Sequence, residues 1–319
     1  LMPLGMIVGS LVNSTLADRI FPAEHIYIAL KLVSALSAIA MCLVESFLPV
    51  LLVFSVYALS FAPSASVKEA ICFKRLPPHQ RDDYGTIRVF ATFGWMSAGV
   101  VAPAIHAGLA SLGLPLTLFQ SIFLLIAACA VANLLITASL PPRPITTSRS
   151  SVLLPRESLA VFKQPAVALL TLCLFCVAFC DRFFYFAMGP YLRELGLESK
   201  NILPLLSTGQ ILEVFGLFAL GGMLRRFGFR KIMLVGASLH VLRFSLLAFG
   251  GSLPTAFLGA FVHGGAFACY FIPATMCFER LCPREHFASA YLLFSIVALG
   301  GSGLAADPPG PGVAGADPP

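Results

Sequence analysis

The chain has 319 residues, of which 58% are hydrophobic and only 11% are charged. Soluble domains carry about 25% charged residues, so the composition excludes a soluble globular protein and predicts one that crosses a membrane many times. The net charge of +6 requires no nucleic acid partner, because the basic residues lie mainly in short loops between apolar runs.

Apolar runs of about 20 residues recur along the chain, and this is the length that a helix needs to cross a bilayer. In lipid such runs are helical, because a helix satisfies its own backbone hydrogen bonds. We therefore predict an all-α, polytopic membrane protein. Its ten predicted spans are 1–17, 25–44, 47–70, 86–110, 113–139, 164–191, 202–224, 231–250, 253–277 and 286–303.

Lysine and arginine fall almost entirely into one of the two alternating sets of loops. That set holds 15 of the 21 such residues, the other holds only Arg193 and Lys200, and the remaining four lie within spans. Cytoplasmic loops are enriched in lysine and arginine. The first loop and the polar segment 140–163 are therefore predicted to be cytoplasmic.

The segment 140–163 divides the spans into two groups of five. Two bundles joined by a cytoplasmic linker are typical of transporters that rock one bundle against the other. The predicted domains are a transmembrane bundle at 1–139, the linker at 140–163, a second bundle at 164–303, and a disordered or artefactual tail at 304–319. Because the chain begins inside an apolar segment and ends in this tail, we expect one helix to be absent from each end.

The fourth span carries a polar face. Arg88, Thr92 and Trp95 are spaced at i, i+4 and i+7, so they lie on one side of a helix. Ionisable residues within a bilayer are costly and are functional candidates by default. An arginine, a hydroxyl and an indole facing a cavity would suit a polar solute that carries a ring. The alternative is that Arg88 extends to the cytoplasmic surface.

The seventh span carries Gln210 and Glu213 at i and i+3 among apolar residues. An amide beside a carboxylate can bond hydroxyl groups or the edge of a base, and a carboxylate shielded from water could carry a proton. The alternative is a structural hydrogen bond between helices.

The sixth span places Asp181 and Arg182 among aromatic residues, with Tyr185 one turn from Asp181. Pairing of either charge across the bundle would suit a site or a structural ion pair equally well. His263 and Phe267, at i and i+4 of the ninth span, could line the same cavity. Structural pairing or an interfacial position is expected for four further residues, Lys31, His106, His240 and Arg243.

Sequence motifs of several other classes are missing. The chain contains no GxxxxGK[ST] loop, no HExxH and no GxSxG, so we expect neither direct ATP drive nor an enzyme. Cys173, Cys176 and Cys180 share a helix face, but no histidine completes a zinc set. No metal or other cofactor is expected.

Four stretches resemble the nucleoside:proton symporter family of the major facilitator superfamily. They read ADRIFPAEHIY; YGTIRVFATFGW; STGQILEVFG continuing through RRFGFRKIMLVG to LRFSLLAFG; and HGGAFACYF followed by ERLCPREHFASAYLLF. The match runs in order from about Met2 to Gly303. It implies that the spans are family helices two to eleven, in a fold of two bundles with inverted repeats. It also implies nucleoside uptake across the cytoplasmic membrane by alternating access, with the proton gradient as energy source.

The resemblance carries over several binding positions. Arg88 and Thr92 match an arginine and a threonine of the family's fifth helix, and Trp95 falls on an aromatic position there. Gln210 and Glu213 match a glutamine and a glutamate of the eighth helix.

On the tenth family helix Phe267 matches an aromatic residue, but the family's aspartate after it is Ala268 here. A glutamine of the seventh helix is replaced by Arg182. These departures put the proton site or the substrate in question. They favour an alternative in which a carrier of the same fold takes a sugar or another polar metabolite. A non-transporting sensor or remnant is a second alternative, suggested by the chain ends.

The sequence therefore predicts one solute site and one proton site in a monomeric carrier whose partners are a nucleoside and the lipid bilayer. Proton coupling is expected at Glu213 or Asp181. The residues expected to bind the solute are Arg88, Thr92, Trp95, Tyr185, Gln210, Glu213 and Phe267.

Overall fold

The computed structural model describes residues 1–16, 21–114, 116–141 and 156–306. Most of the predicted linker, most of the tail, and the ADRI stretch lie outside the described residues, so the domain boundaries stay predictions. The elements are helices: α1 (Met2–Leu16), α2 (Ala23–Met41), α3 (Phe47–Arg75), α4 (Tyr84–Ser111), α5 (Leu118–Ala138), α6 (Arg156–Ala160), α7 (Pro165–Glu194), α8 (Ser199–Gly250), α9 (Leu253–Leu281), α10 (Phe287–Ser295) and α11 (Ser302–Ala306).

Each of the first nine predicted spans coincides with one of these helices or with one arm of α8, and the tenth, 286–303, covers α10, a π-helical segment and the start of α11. Within the described residues, seven helical segments are long and apolar enough to cross a membrane, and α4 makes an eighth if its two bent parts count together. The segment 204–250 of α8 counts once although it contains two predicted spans. In α1 the apolar stretch, Met2–Asn13, is shorter.

The two arms of α8 meet at Gly228. Its backbone has φ 76° and ψ 165°, and glycine adopts such a positive φ at little cost because it has no Cβ. The break falls within the basic stretch between Arg225 and Lys231, where the sequence predicts the loop between two spans.

Two spans are not straight, regular α-helices. α4 bends by 45° just after Ala98, one turn before Pro103, which lacks the N–H that would bond to the preceding turn. The last span contains a π-helical segment, Ile296–Gly301, between α10 and α11. There Gly300 faces the Ile7 side chain so closely that a Cβ would overlap it.

The first half, α1–α5, packs against the second half, α7–α11, along two seams. α4 lies against α8, and α1 and α3 lie against α10. In the first seam Gly85 approaches the carbonyl oxygen of Leu217 so closely that a Cβ would overlap it. In the second seam Phe73 of α3 meets Phe287 of α10 edge to face, with ring centroids 5.7 Å apart. These seams bring the predicted site residues of the two halves together.

Candidate transport site

The close crossing of α8 and α9 sets up one wall of the site. A Cβ on Gly264 would overlap the carbonyl oxygen of Gly209, and a Cβ on Gly209 would overlap the carbonyl oxygen of Ala260. The two helices therefore approach this closely because both residues lack a Cβ. Each glycine is next to a predicted site residue. The crossing therefore places Gln210 of α8 beside His263 of α9.

One hydrogen bond joins the two halves across the site. The Thr92 hydroxyl of α4 donates to Oε1 of Glu213 on α8 over 2.6 Å. Both side chains are buried. A buried carboxylate needs such partners, because removing it from water without them is costly.

All seven predicted solute-binding residues line one cavity of about 210 Å³. Ala91 and His263 complete its wall. The guanidinium of Arg88 lies over the ring of Phe267, 5.8 Å from its centroid, a cation–π geometry. Arg88 thus points into the cavity, which contradicts the alternative that it extends to the membrane surface.

A second cavity of about 340 Å³ adjoins the first and shares Arg88, Tyr185 and Phe267 with it. Its wall is rich in charge and includes Asp181, one of the two residues predicted to carry the proton. The charged residues there, besides Arg88, are Lys68, Glu69, Asp181 and Arg182. Asp181 therefore lies next to the 210 Å³ cavity and not in its wall.

Asp181 belongs to an ionic cluster with Arg243 and His263. The sequence predicted pairing for Asp181 and structural pairing or an interfacial position for Arg243, but it did not identify the partners. Nη1 of Arg243 donates to Oδ1 of Asp181 over 2.9 Å and also contacts Nδ1 of His263. Nε2 of His263 lies 2.8 Å from the hydroxyl of Tyr185. The sequence did contain a signal for the contact between Asp181 and Arg243. Opposite charges that lie in different spans of one half tend to pair within a membrane.

Of the residues for which structural pairing or an interfacial position was expected, Lys31 and His106 have hydrogen-bond partners and His240 has none among the described residues. Nζ of Lys31 donates to Ser64 of α3 over 2.9 Å, and Nδ1 of His106 lies 3.1 Å from the Ser121 hydroxyl of α5. Structural pairing was expected for both. Within the part of the chain that the structure describes, neither ring nitrogen of His240 has a hydrogen-bond partner.

Ala268, at the family's aspartate position, is fully buried and lines neither cavity. It packs against Gly216, where a Cβ would approach the Cβ of Ala268 to 2.9 Å. In this chain the position serves the packing of α9 on α8.

A polar cavity between two packed halves built of apolar helices is typical of a membrane carrier. The family model described as nucleoside H+ symporter matches residues 2–311, and the chain belongs to that family. It is similar to YegT of Escherichia coli (strain K12), with 24% identity over 93% of this chain and 71% of that protein.

Two crystal structures show the same fold. The nucleoside transporter NupG matches with a TM-score of 0.59 and 20% identity, over 96% of this chain and 80% of that one. The major facilitator transporter FucP in its outward conformation matches with a TM-score of 0.73 and 13% identity, over 95% of this chain and 80% of that one.

These findings confirm the predicted all-α major facilitator fold and the predicted family. The chain is a multi-pass carrier of the cytoplasmic membrane rather than an enzyme, and its activity is proton-coupled nucleoside uptake. The family match favours this activity over the sugar-carrier and remnant alternatives.

Proposed function

We propose that the 210 Å³ cavity is the nucleoside site and that the seven predicted residues bind the nucleoside. The supporting observation is their convergence: α4 of one half and α7, α8 and α9 of the other half all contribute to one wall. Ligand sites are typically concave, with mostly apolar walls and a few placed polar groups.

The chemistry of the wall matches the two parts of a nucleoside. The carboxylate of Glu213 accepts hydrogen bonds, which suits ribose hydroxyls, while the guanidinium of Arg88 only donates them. Trp95, Tyr185 and Phe267 offer ring faces against which a base can stack.

In this proposal Glu213 both binds the solute and joins the two halves. Glu213 is already bonded to Thr92 across the seam. A nucleoside hydroxyl that approaches this carboxylate competes with that bond. Binding thereby changes the contact between the halves, as alternating access requires.

The proposal assigns proton transfer to Glu213 in preference to Asp181, and takes the proton gradient as the energy source. Arg243 already occupies Oδ1 of Asp181 in an ion pair. The bond to Glu213 comes from a neutral hydroxyl. Because one chain supplies the whole wall of the cavity, a monomer suffices for the proposed cycle.

The test is uptake of labelled uridine by cells that lack their own nucleoside carriers, with the protein expressed from its complete open reading frame. We expect accumulation above cells that carry an empty vector, and loss of accumulation when the proton gradient is collapsed. Background uptake from protein shown to be in the membrane would contradict the nucleoside site. Uphill uptake that survives collapse of the gradient would contradict proton drive.

A further inference from the structure

We propose that Asp181, Arg243 and His263 form an orienting chain that turns the hydroxyl proton of Tyr185 toward the solute. The site would then select nucleosides whose base carries a carbonyl oxygen. This inference rests on the proposed nucleoside site, and it assigns Arg243 and His263 as positioning residues.

The chain begins at Arg243, whose side chain is fully buried. Its Nη1 donates to Oδ1 of Asp181 over 2.9 Å and contacts Nδ1 of His263. A guanidinium has five donors and no acceptor, and it stays charged in proteins. Nδ1 of His263 also lies 3.4 Å from Oδ1 of Asp181, but the guanidinium is nearer and can only donate. We therefore infer that Nδ1 presents its lone pair to Arg243.

The lone pair on Nδ1 fixes the rest of the imidazole. A neutral imidazole carries one N–H, so here the proton lies on Nε2. Nε2 is 2.8 Å from the Tyr185 hydroxyl, and the N–H therefore donates to Oη of Tyr185. The tyrosine accepts this bond and its own proton stays available. Among the described residues Tyr185 makes no other hydrogen bond.

Aromatic packing holds the chain in place. The guanidinium of Arg243 lies 4.4 Å from the ring centroid of Phe184 and 4.5 Å from that of Phe244. The ring of His263 stacks on Phe184 at an angle of 20°. A polar group supported in this way is preorganised, so little freedom remains to be lost when a solute binds.

The oriented hydroxyl faces the place where a solute binds. Tyr185 and Arg88 line both cavities, and both present donors there. A base with a carbonyl oxygen offers an acceptor to this pair. A base without one leaves these two donors unpaired, and sites built to hydrogen-bond a group reject analogues that lack it.

The experiment measures competition against labelled uridine uptake by two purine nucleosides. Inosine carries a base carbonyl at position 6, and purine riboside lacks it. We expect inosine to inhibit about tenfold more strongly than purine riboside in the unmodified protein, as loss of one hydrogen bond implies. Tyr185→Phe should reduce this ratio to about two, because the phenyl ring keeps the wall but has no hydroxyl.

His263 supplies a matched pair of variants. In His263→Gln the amide oxygen can accept from Arg243 while the amide N–H donates to Tyr185, so we expect the ratio to stay near the unmodified value. His263→Met has a similar length and no such groups, so the ratio should fall as in Tyr185→Phe. Combining Tyr185→Phe with His263→Met should lower it no further, because both act through one hydroxyl.

Three results would overturn the orienting chain, and a fourth would contradict the nucleoside site instead. A ratio near one in the unmodified protein, an unchanged ratio in Tyr185→Phe, or a lost ratio in His263→Gln would overturn the orienting chain. These three measurements suffice even if His263→Met fails to reach the membrane. Absence of any uridine uptake by the unmodified protein is a different result, because it contradicts the nucleoside site itself.

Discussion

The two halves of the carrier meet in two layers of different chemistry. In the central layer one hydrogen bond, from Thr92 to Glu213, joins them beside the cavity. In the second layer, at the end where the predicted cytoplasmic loops gather, the halves are joined by charge. The ion pairs there are Arg225 with Asp83, Arg280 with Asp82, and Arg81 with Glu279.

The proposed solute and proton binding belongs to the central layer, whereas the second layer holds the two halves together. In the proposed cycle a solute hydroxyl replaces the central bond or a proton on Glu213 alters it, so this bond is lost during transport. The paired residues of the charged layer line neither cavity, and they differ in exposure. Asp83 is 51% exposed, whereas Glu279 is 5% exposed. Exposed pairs contribute little to stability, so the buried pair carries most of this closure.

The largest expected effect comes from changing the central carboxylate. Glu213→Gln keeps the size of the side chain and can still accept from Thr92, but it cannot carry a proton. We expect gradient-driven accumulation of uridine to fall roughly 100-fold, in the range found when one member of a buried charged contact is changed. Exchange of labelled for unlabelled uridine should persist, because exchange needs binding without net proton transfer.

Asp181→Asn is the control for that assignment. It leaves Arg243 buried without its anion, which lowers the amount of folded protein. The protein that reaches the membrane should still accumulate uridine under a proton gradient. Retained accumulation in Glu213→Gln together with lost accumulation in Asp181→Asn would assign the proton to Asp181 instead.

A smaller effect is expected at the other end of the same bond. Thr92→Val has nearly the same shape but removes the hydroxyl that reaches Glu213. We expect the apparent affinity for uridine to change by about three- to tenfold, the value of one hydrogen bond. Thr92→Ser keeps the hydroxyl and is the matched control. Equal kinetics for the Val and Ser variants would show that the central layer does not depend on this bond.

Helix positions were predictable because lipid forces apolar runs to be helical and because glycine and basic residues separate them. The loop around Gly228 is an example. The π-helical segment at Ile296–Gly301 was not predictable, because it depends on how Gly300 packs against α1. The bend in α4 had a signal in Pro103, but its angle depends on the neighbouring helices.

The site was predictable only in part. Helix spacing and family resemblance identified the residues that share the 210 Å³ cavity, since residues at i, i+3 and i+4 lie on one face. Partners on different helices are not visible in such spacing. The contact of Arg243 with Asp181, and that of His263 with Tyr185, arise from packing of α7, α8 and α9.

The smallest effect is expected in the charged layer, at its most exposed pair. Asp83→Asn removes one charge of a pair whose partner, Arg225, is 57% exposed. Water and salt already screen this contact, so we expect the initial rate of uridine uptake to change less than about twofold, with protein amounts in the membrane matched. Glu279→Gln, at the buried pair, should change it more. A larger effect of Asp83→Asn than of Glu279→Gln would show that the exposed pair, rather than the buried one, holds this layer together.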